Sequence, residues 1–307
     1  MSLATTKLCP LCIAFGADDS AMFDTGVPVL AGESVDDHFA DVRPAGRAGA
    51  LDLFQSGDWL LGAATVPLTA GLEEATHRLY DNIITATQGW HLARIWNYVP
   101  AINETGPTGL ENYQLFCRGR SLAFERHYGS GFKSLLPSAS AVGCKAARLT
   151  VAFAACPVQP RHVENPRQVP AYDYPGAYGP RAPSFARATV VPGAAHPTVF
   201  ISGTAAILGH ATIAPHNLRQ QLACTLENLG DISQACGLGR ELDQGGPAKR
   251  RFKVYVRHAA DQPQVAAILE ESLLTGSDCV SYLQADICRA TLLVEIEVSL
   301  FGVSRLR

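Results

Sequence analysis

A helix followed by a strand occurs twice in this chain, and that duplication constrains the fold more than any other feature. In the first copy, Leu72, Ala75, Leu79, Ile83 and Ala86 recur at helical spacing, Gly89 supplies a stop, and the strand-like run Arg94-Ile-Trp-Asn-Tyr-Val follows. In the second, Pro215 stands where a helix can start. Leu218, Leu222, Leu226, Leu229 and Ile232 form its apolar stripe, and Gly237 stops it. A polar loop from Glu241 to Lys249 leads into Phe252-Lys-Val-Tyr-Val, which alternates as a half-buried strand does. Each helix is preceded by a β-rich stretch, 58–66 in one case and 198–208 in the other. One amphipathic helix is only a core element; its repetition with flanking strands predicts two similar α/β (α+β) domains, each a mixed sheet packed on helices. The 307 residues fit two domains of about 150 each. The expected division is an extension over 1–50, a first domain over 51–190 and a second over 191–307. The chain closes on a strand in which Val294, Ile296, Val298 and Leu300 alternate with Glu295, Glu297 and Ser299, so an apolar face should pack on the helices.

Composition excludes several classes of function. The formal net charge of −3 offers no basic field for nucleic acid or an anionic membrane. No apolar run reaches the ~18 residues of a membrane span. Charged residues make up 17% of the chain, below the usual ~25%, which points to much internal surface or an oligomer interface. The nine cysteines are scattered. Cys9 and Cys12 form a lone C-x-x-C with no second pair and no nearby His set, so no metal site is expected. Scattered thiols and an N-terminus without signal-peptide features predict a cytoplasmic protein. No G-x-G-x-x-G or Walker loop is present, so no nucleotide cofactor is indicated.

The segment 165–187, NPRQVPAYDYPGAYGPRAPSFAR, is too rich in Pro and Gly for a helix or a central strand. It nevertheless carries Tyr172, Tyr174, Tyr178, Arg167, Arg181 and Arg187. Guanidinium forks bind carboxylates and phenols orient a ring, so an ordered loop of this kind suits an aromatic-sized dianion. Glu295 is the candidate acid: on a strand face lining a cleft, burial raises a carboxyl pKa toward neutrality. Glu297, on the same face, is either its partner or a solvated residue. Cys288 lies seven residues earlier, and a tight turn from Arg289 to Leu293 would set it on a strand neighbouring Glu295; otherwise it is a small buried hydrophobe. Arg118 and Arg120 flank Gly119, where the backbone can approach a ligand, with ion pairs to Glu111 or Glu125 as the plainer reading. Ser202-Gly203-Thr204-Ala205 likewise suggests close backbone approach. A nucleophilic Ser202 would need His210 as base, but no G-x-S-x-G elbow is present.

These strings carry a family resemblance. Over about 195–307 the chain resembles the YjgF/RidA fold, in the helix ending Thr-Leu-Glu-Asn-Leu-Gly and in the closing Val294-Glu-Ile-Glu. Sharper are Arg94-Ile-Trp-Asn-Tyr-Val-Pro-Ala-Ile-Asn-Glu, Glu111-Asn-Tyr-Gln-Leu-Phe-Cys-Arg-Gly-Arg, the pair Asn165-Pro-Arg-Gln-Val-Pro-Ala-Tyr and Tyr178-Gly-Pro-Arg-Ala-Pro-Ser-Phe-Ala-Arg, and Ile287-Cys-Arg-Ala-Thr-Leu-Leu-Val-Glu-Ile-Glu. From about residue 55 to the end these resemble the chorismatase family, whose chemistry needs no pterin despite an older pteridine-dependent label.

The resemblance implies chorismate as substrate, pyruvate as one product and no cofactor. It implies that Glu295 protonates the enol-ether methylene and that Tyr113, Arg120 and Tyr178 hold the carboxylates and the ring. Arg181 is added on chemical grounds, and Gly203, Thr204 and Ala205 as backbone contacts. Family branches that release a hydroxybenzoate are similar to this chain in having Cys at the position of Cys288, whereas the hydrolytic branch has Ala. The expected product is therefore 3-hydroxybenzoate, alone or with the 4-isomer. The alternatives are hydrolysis to a dihydroxycyclohexadiene carboxylate, imine deamination of the RidA type and pure ligand binding. RidA deaminases place an Arg before the last hairpin where this chain has Val280-Ser281-Tyr282, which argues against deamination. RidA-like domains pack as trimers; a duplicated chain either trimerises or satisfies that interface as a monomer.

Overall fold

The computed structural model describes residues 13–15, 23–37, 39–193, 196–303 and 306. Cys9 and Cys12 lie outside the described residues. In chain order the principal elements are β1 (Val29–Gly32), β2 (Arg43–Ala48), β3 (Leu51–Ser56), β4 (Trp59–Pro67), α1 (Leu72–Ala86), β5 (His91–Pro100), α2 (Asn112–Tyr128), β6 (Ser138–Cys144) and β7 (Arg148–Cys156). There follow β8 (Arg161–Val163), β9 (Ala188–Val191), β10 (Thr198–Thr204), α3 (Leu218–Cys236), β11 (Lys249–Val256), α4 (Gln262–Ser272), β12 (Cys279–Gln284) and β13 (Val294–Phe301).

The expected duplication is present and is longer than the sequence reveals. One sheet runs β2-β3-β4-β7-β5-β6 and the other β8-β9-β10-β13-β11-β12-β1. Each contains the same five-strand order, β3-β4-β7-β5-β6 in one and β9-β10-β13-β11-β12 in the other. In each, a helix (α2 or α4) crosses between two parallel strands, β5 with β6 and β11 with β12. The architecture is thus two mixed sheets of matching strand order. The segment after Cys156 supplies β8 and β9 to the second sheet, and the first fifty residues supply β1 to the second sheet and β2 to the first.

Side-chain alternation explains the layering. On β13, Val294, Ile296, Val298 and Leu300 face one way and join Leu222, Leu229 and Ile232 of α3 in a buried core. On α1, Leu79 and Ile83 are fully buried beside Ile95 and Phe153 of the first sheet. Each such side chain contributes roughly 1.5–3 kcal/mol. The opposite sheet faces meet each other: Ala63, Trp96, Ala152, Phe200 and Tyr255, drawn from both sheets, form a third core. The ring of Phe200 lies 6.1 Å from that of Trp96 and 5.8 Å from that of Trp59, edge to face. The order of layers is therefore helices, sheet, sheet, helices.

Local signals set the helix limits. The stripe that Pro215 was expected to open begins at Leu218, because the Asn217 side chain accepts the Gln220 amide at 3.1 Å. Gly237, at φ 90, closes the helix in the left-handed region. Gly119, expected to bring the backbone close to a ligand, serves helix packing instead. A Cβ there would overlap the Glu73 carbonyl and crowd Thr76, so its absence lets α2 lie close on α1.

Candidate active site

Where the edge strand β6 of the first sheet meets β10 and β13 of the second, a cavity of about 300 Å³ opens. That is near the lower end of the ~300–1,000 Å³ typical of small-ligand sites. Its floor includes the buried residues Arg120, Ser140, Arg187, Ala205 and Glu295, whereas the exposed Ala177 and Ala290 mark its rim. The sheets are joined here by side-chain bonds: the Ser138 amide donates to Thr189 Oγ1 at 2.8 Å, and the Ala139 amide to Ser202 Oγ at 2.9 Å. Ser202 Oγ in turn donates to the Ala186 carbonyl at 2.6 Å. Ser202 is thus a structural link. His210 sits on an exposed turn, so the Ser–His pair weighed from sequence does not form.

A one-residue register shift in the β10–β13 ladder, between Ile201 and Thr204, places Gly203 against the Glu295 carboxyl. A Cβ on Gly203 would collide with Glu295 Oε1. Glu295 is 4% exposed and lines the cavity. Burial, and then the charge of Glu297, push its carboxyl up to about 8. It is therefore protonated at neutral pH.

Glu297 shares that strand face and behaves in the opposite way. It accepts from Arg94 Nη2 at 2.8 Å, Trp96 Nε1 at 2.9 Å and Tyr255 OH at 3.2 Å, with Lys253 Nζ at 3.1 Å. Lys253 also pairs with Asp36. Burial opposes the charge on Glu297, but Lys253 and Arg94 outweigh it and hold the carboxyl below the usual range. Arg94 Nη2 also reaches Ser140 Oγ at 2.9 Å, tying this buried cluster to the cavity wall.

Two buried arginines face the cavity with unspent donors. Arg120, 1% exposed, stacks over the Phe116 ring at 4.8 Å and has no hydrogen-bond partner for Nε or Nη2. Arg187, 6% exposed, donates to Tyr174 OH at 2.7 Å and to the Val169 carbonyl, leaving Nε without a partner. Orphaned charged donors are costly in a protein interior and mark a place where an anion fits. Tyr113, at the start of α2, also lines the cavity; burial, then the neighbouring Cys117 and Cys288, raise its phenol well above its usual range, so it remains a neutral donor.

Among the expected site residues, Glu295, Cys288, Tyr113, Arg120, Tyr178, Gly203 and Ala205 all line this one cavity. Thr204 and Arg181 do not. Thr204 turns its hydroxyl to the Ser202 carbonyl at 2.9 Å, because a residue next to Gly203 on a strand points to the other face. Arg181 pairs with Glu125 at 2.7 Å. Cys288 is not on a strand beside Glu295 as the tight-turn reading had it: β12 ends at Gln284, and Cys288 reaches the cavity from the loop that follows. Burial, then Glu295, raise its thiol to about 12, which keeps it protonated. The sequence reading gave no role to Ser140, Phe185 or Arg289, which also line the cavity. Phe185 and Arg289 lay inside strings already singled out; Ser140 gave no signal.

Comparison with known proteins places the chain among relatives. Residues 39–155 match the family model described as Chorismatase FkbO/Hyg5-like, N-terminal. The chain is 38% identical over 263 residues to a 3-hydroxybenzoate synthase of Streptomyces hygroscopicus, covering 82% of this chain and 76% of that one. It is 36% identical over 270 residues to a chorismatase of Streptomyces rapamycinicus, covering 85% and 80%. A crystal structure of a chorismatase superposes with a TM-score of 0.76 at 27% identity, over 94% of this chain and 97% of that one. By its sequence and its fold, the chain belongs to the chorismatase family.

Proposed function

We propose that the protein cleaves the enol-ether side chain of chorismate, releasing pyruvate and 3-hydroxybenzoate without a cofactor. The observation that carries this reading is a protonated, buried Glu295 in a cavity whose walls present two arginines with unpartnered donors. An enol ether is a weak base at carbon, so its protonation needs an acid that is both positioned and still protonated at neutral pH. A substrate with two carboxylates satisfies Arg120 and Arg187 separately and fixes the methylene near Glu295. Tyr113 and Tyr178 hold the ring, and Gly203 with Ala205 leaves backbone room beside the acid.

Transfer of the Glu295 proton to the methylene carbon gives an oxocarbenium ion, partly offset by the adjacent pyruvyl carboxylate. The neighbouring ring hydroxyl then attacks the ring carbon that carries the side chain. The ring carbon–oxygen bond breaks, its electron pair leaves with pyruvate, and the hydroxyl proton returns to Glu295. The resulting arene oxide opens and loses a ring proton to become the phenol; no water is consumed. A water molecule adding to the oxocarbenium instead yields pyruvate and a dihydrodiol, so exclusion of water decides the product. Cys288, as a neutral thiol, shapes the wall and donates a hydrogen bond rather than serving as a base. A small-molecule substrate, no nucleic-acid partner and a cytoplasmic location complete the reading; among the described residues the cysteines are free and mostly buried, which supports that location.

The test is to mix purified protein with chorismate alone and separate the products, with a coupled assay for pyruvate. Pyruvate with 3-hydroxybenzoate supports the proposal, pyruvate with the dihydrodiol keeps the substrate but overturns the product, and no pyruvate overturns both.

A further inference from the structure

At the mouth of the cavity stands Arg289, a residue that the cleavage steps themselves do not use. The Arg289 guanidinium lies over the Tyr178 ring at 4.1 Å and over the Tyr174 ring at 5.2 Å. Its Nη1 donates to the His210 carbonyl at 2.8 Å and to Thr212 Oγ1 at 3.2 Å. Tyr178 OH pairs with His210 Nδ1 at 3.1 Å. Three separate stretches therefore meet at one cation: the Pro-rich loop carrying Tyr174 and Tyr178, the short hairpin of Ile207–Leu208 and Ala211–Thr212, and the loop between β12 and β13. Tyr178 and Arg289 both line the cavity, beside the exposed Ala177 and Ala290. The buried Glu295 and Arg120 lie on its floor.

From this geometry we infer that Arg289, clamped on Tyr178, is a specificity-determining gate that keeps water out of the occupied cavity and so selects the hydroxybenzoate over the dihydrodiol. The inference rests on the proposed chorismate cleavage. Both routes share the protonation step, and they part only at whether a water oxygen or the ring hydroxyl captures the activated substrate. Floor residues set whether cleavage occurs; the seal at the mouth sets the chance that a water molecule is present when it does. A cation–π contact supplemented by two hydrogen bonds is strong enough to hold three loops together, yet it opens without unfolding either sheet. Arg289 is thus a positioning residue for the loops, and its effect appears in the product ratio rather than in the protonation itself.

The experiment compares wild type, Arg289→Ala and Thr212→Val with chorismate, reading the ratio of dihydrodiol to hydroxybenzoate. The ratio is independent of overall rate, so slower turnover does not obscure it. The expected result is a rise of about two- to fivefold in the dihydrodiol share, the change that losing one cation–π contact makes in a closed-to-open equilibrium. Thr212→Val removes one of the hydrogen bonds that hold Arg289 in place, away from the cavity lining, and carries the test if Arg289→Ala does not fold by circular dichroism. An unchanged ratio in the folded variants, with an active wild type, overturns the gate. An inactive wild type overturns the cleavage reading instead, so the two failures are distinguishable.

Discussion

Glu295 and Glu297 stand two residues apart on one face of β13 and hold opposite protonation states. Glu297 is ringed by Arg94, Trp96, Tyr255 and Lys253 and stays charged. Glu295 meets the cavity with no such partners, and the fixed negative charge beside it helps to keep it neutral. The pair separates two states that one carboxylate cannot combine: a charged group that anchors the inter-sheet cluster and a neutral one that the proposed reaction uses as its proton donor.

Glu295→Gln should keep the fold and abolish pyruvate release, a loss of about 10²–10⁴-fold for a missing general acid. In wild type the rate should fall as pH rises through about 8, where Glu295 loses its proton. A pH–rate profile and the pyruvate assay check both; retention of full activity in the variant removes Glu295 from the role.

The same carboxyl should also leave a mark on stability. Its pKa is raised from 4.5 to about 8 in the fold, so the stability it confers is present below pH 4.5 and is lost as pH rises through about 8. Glu295→Gln should therefore be more stable than wild type at pH 9, by an amount on the order of a few kcal/mol. Denaturant melts at pH 5 and pH 9 should show a gap between the two proteins that widens with pH.

Glu297→Gln should be destabilising, because it strips a carboxylate from the buried Arg94 and Lys253; breaking such a pair costs roughly 3–5 kcal/mol. It should also move the alkaline limb of the pH–rate profile to lower pH, since the negative charge that holds the Glu295 proton is gone. A loss of stability with an unmoved limb would confine Glu297 to structure.

Arg120→Met should raise KM for chorismate by about 10- to 100-fold, the worth of a charged hydrogen bond. Without substrate the variant should keep its fold, because Met retains the contact with Phe116, although the bond that Arg120 makes to the buried Tyr80 is lost. Calorimetry with and without ligand separates the two effects.

Gly203→Ala should reduce pyruvate release while retaining the fold, because the new Cβ occupies the place of Glu295 Oε1 and forces the acid to turn away. Cys288→Ala should leave cleavage in place and shift product toward the dihydrodiol; an unchanged mixture would make Cys288 simple packing.

The sequence by itself determined α1, α3, the strands that flank them and the alternation on β13, because amphipathic periodicity is a local property of the chain; α2 and α4 show only in the structure. The stripe of Leu218 to Ile232 and the set Val294, Ile296, Val298 and Leu300 fall in one core as that alternation requires. It also marked the Pro-rich loop as ordered, through its tyrosines and arginines. Tertiary structure alone decided which carboxylate stays protonated. Glu295 and Glu297 are equivalent by period, and the distinction comes from Arg94, Lys253 and Asp36, far away in the chain, whose charges act only when the sheets close face to face. It likewise decided that Arg187 and not Arg181 faces the cavity, and that Gly119 serves a helix contact. Proton affinity and donor availability depend on distance and burial in space, and no spacing along the chain encodes those.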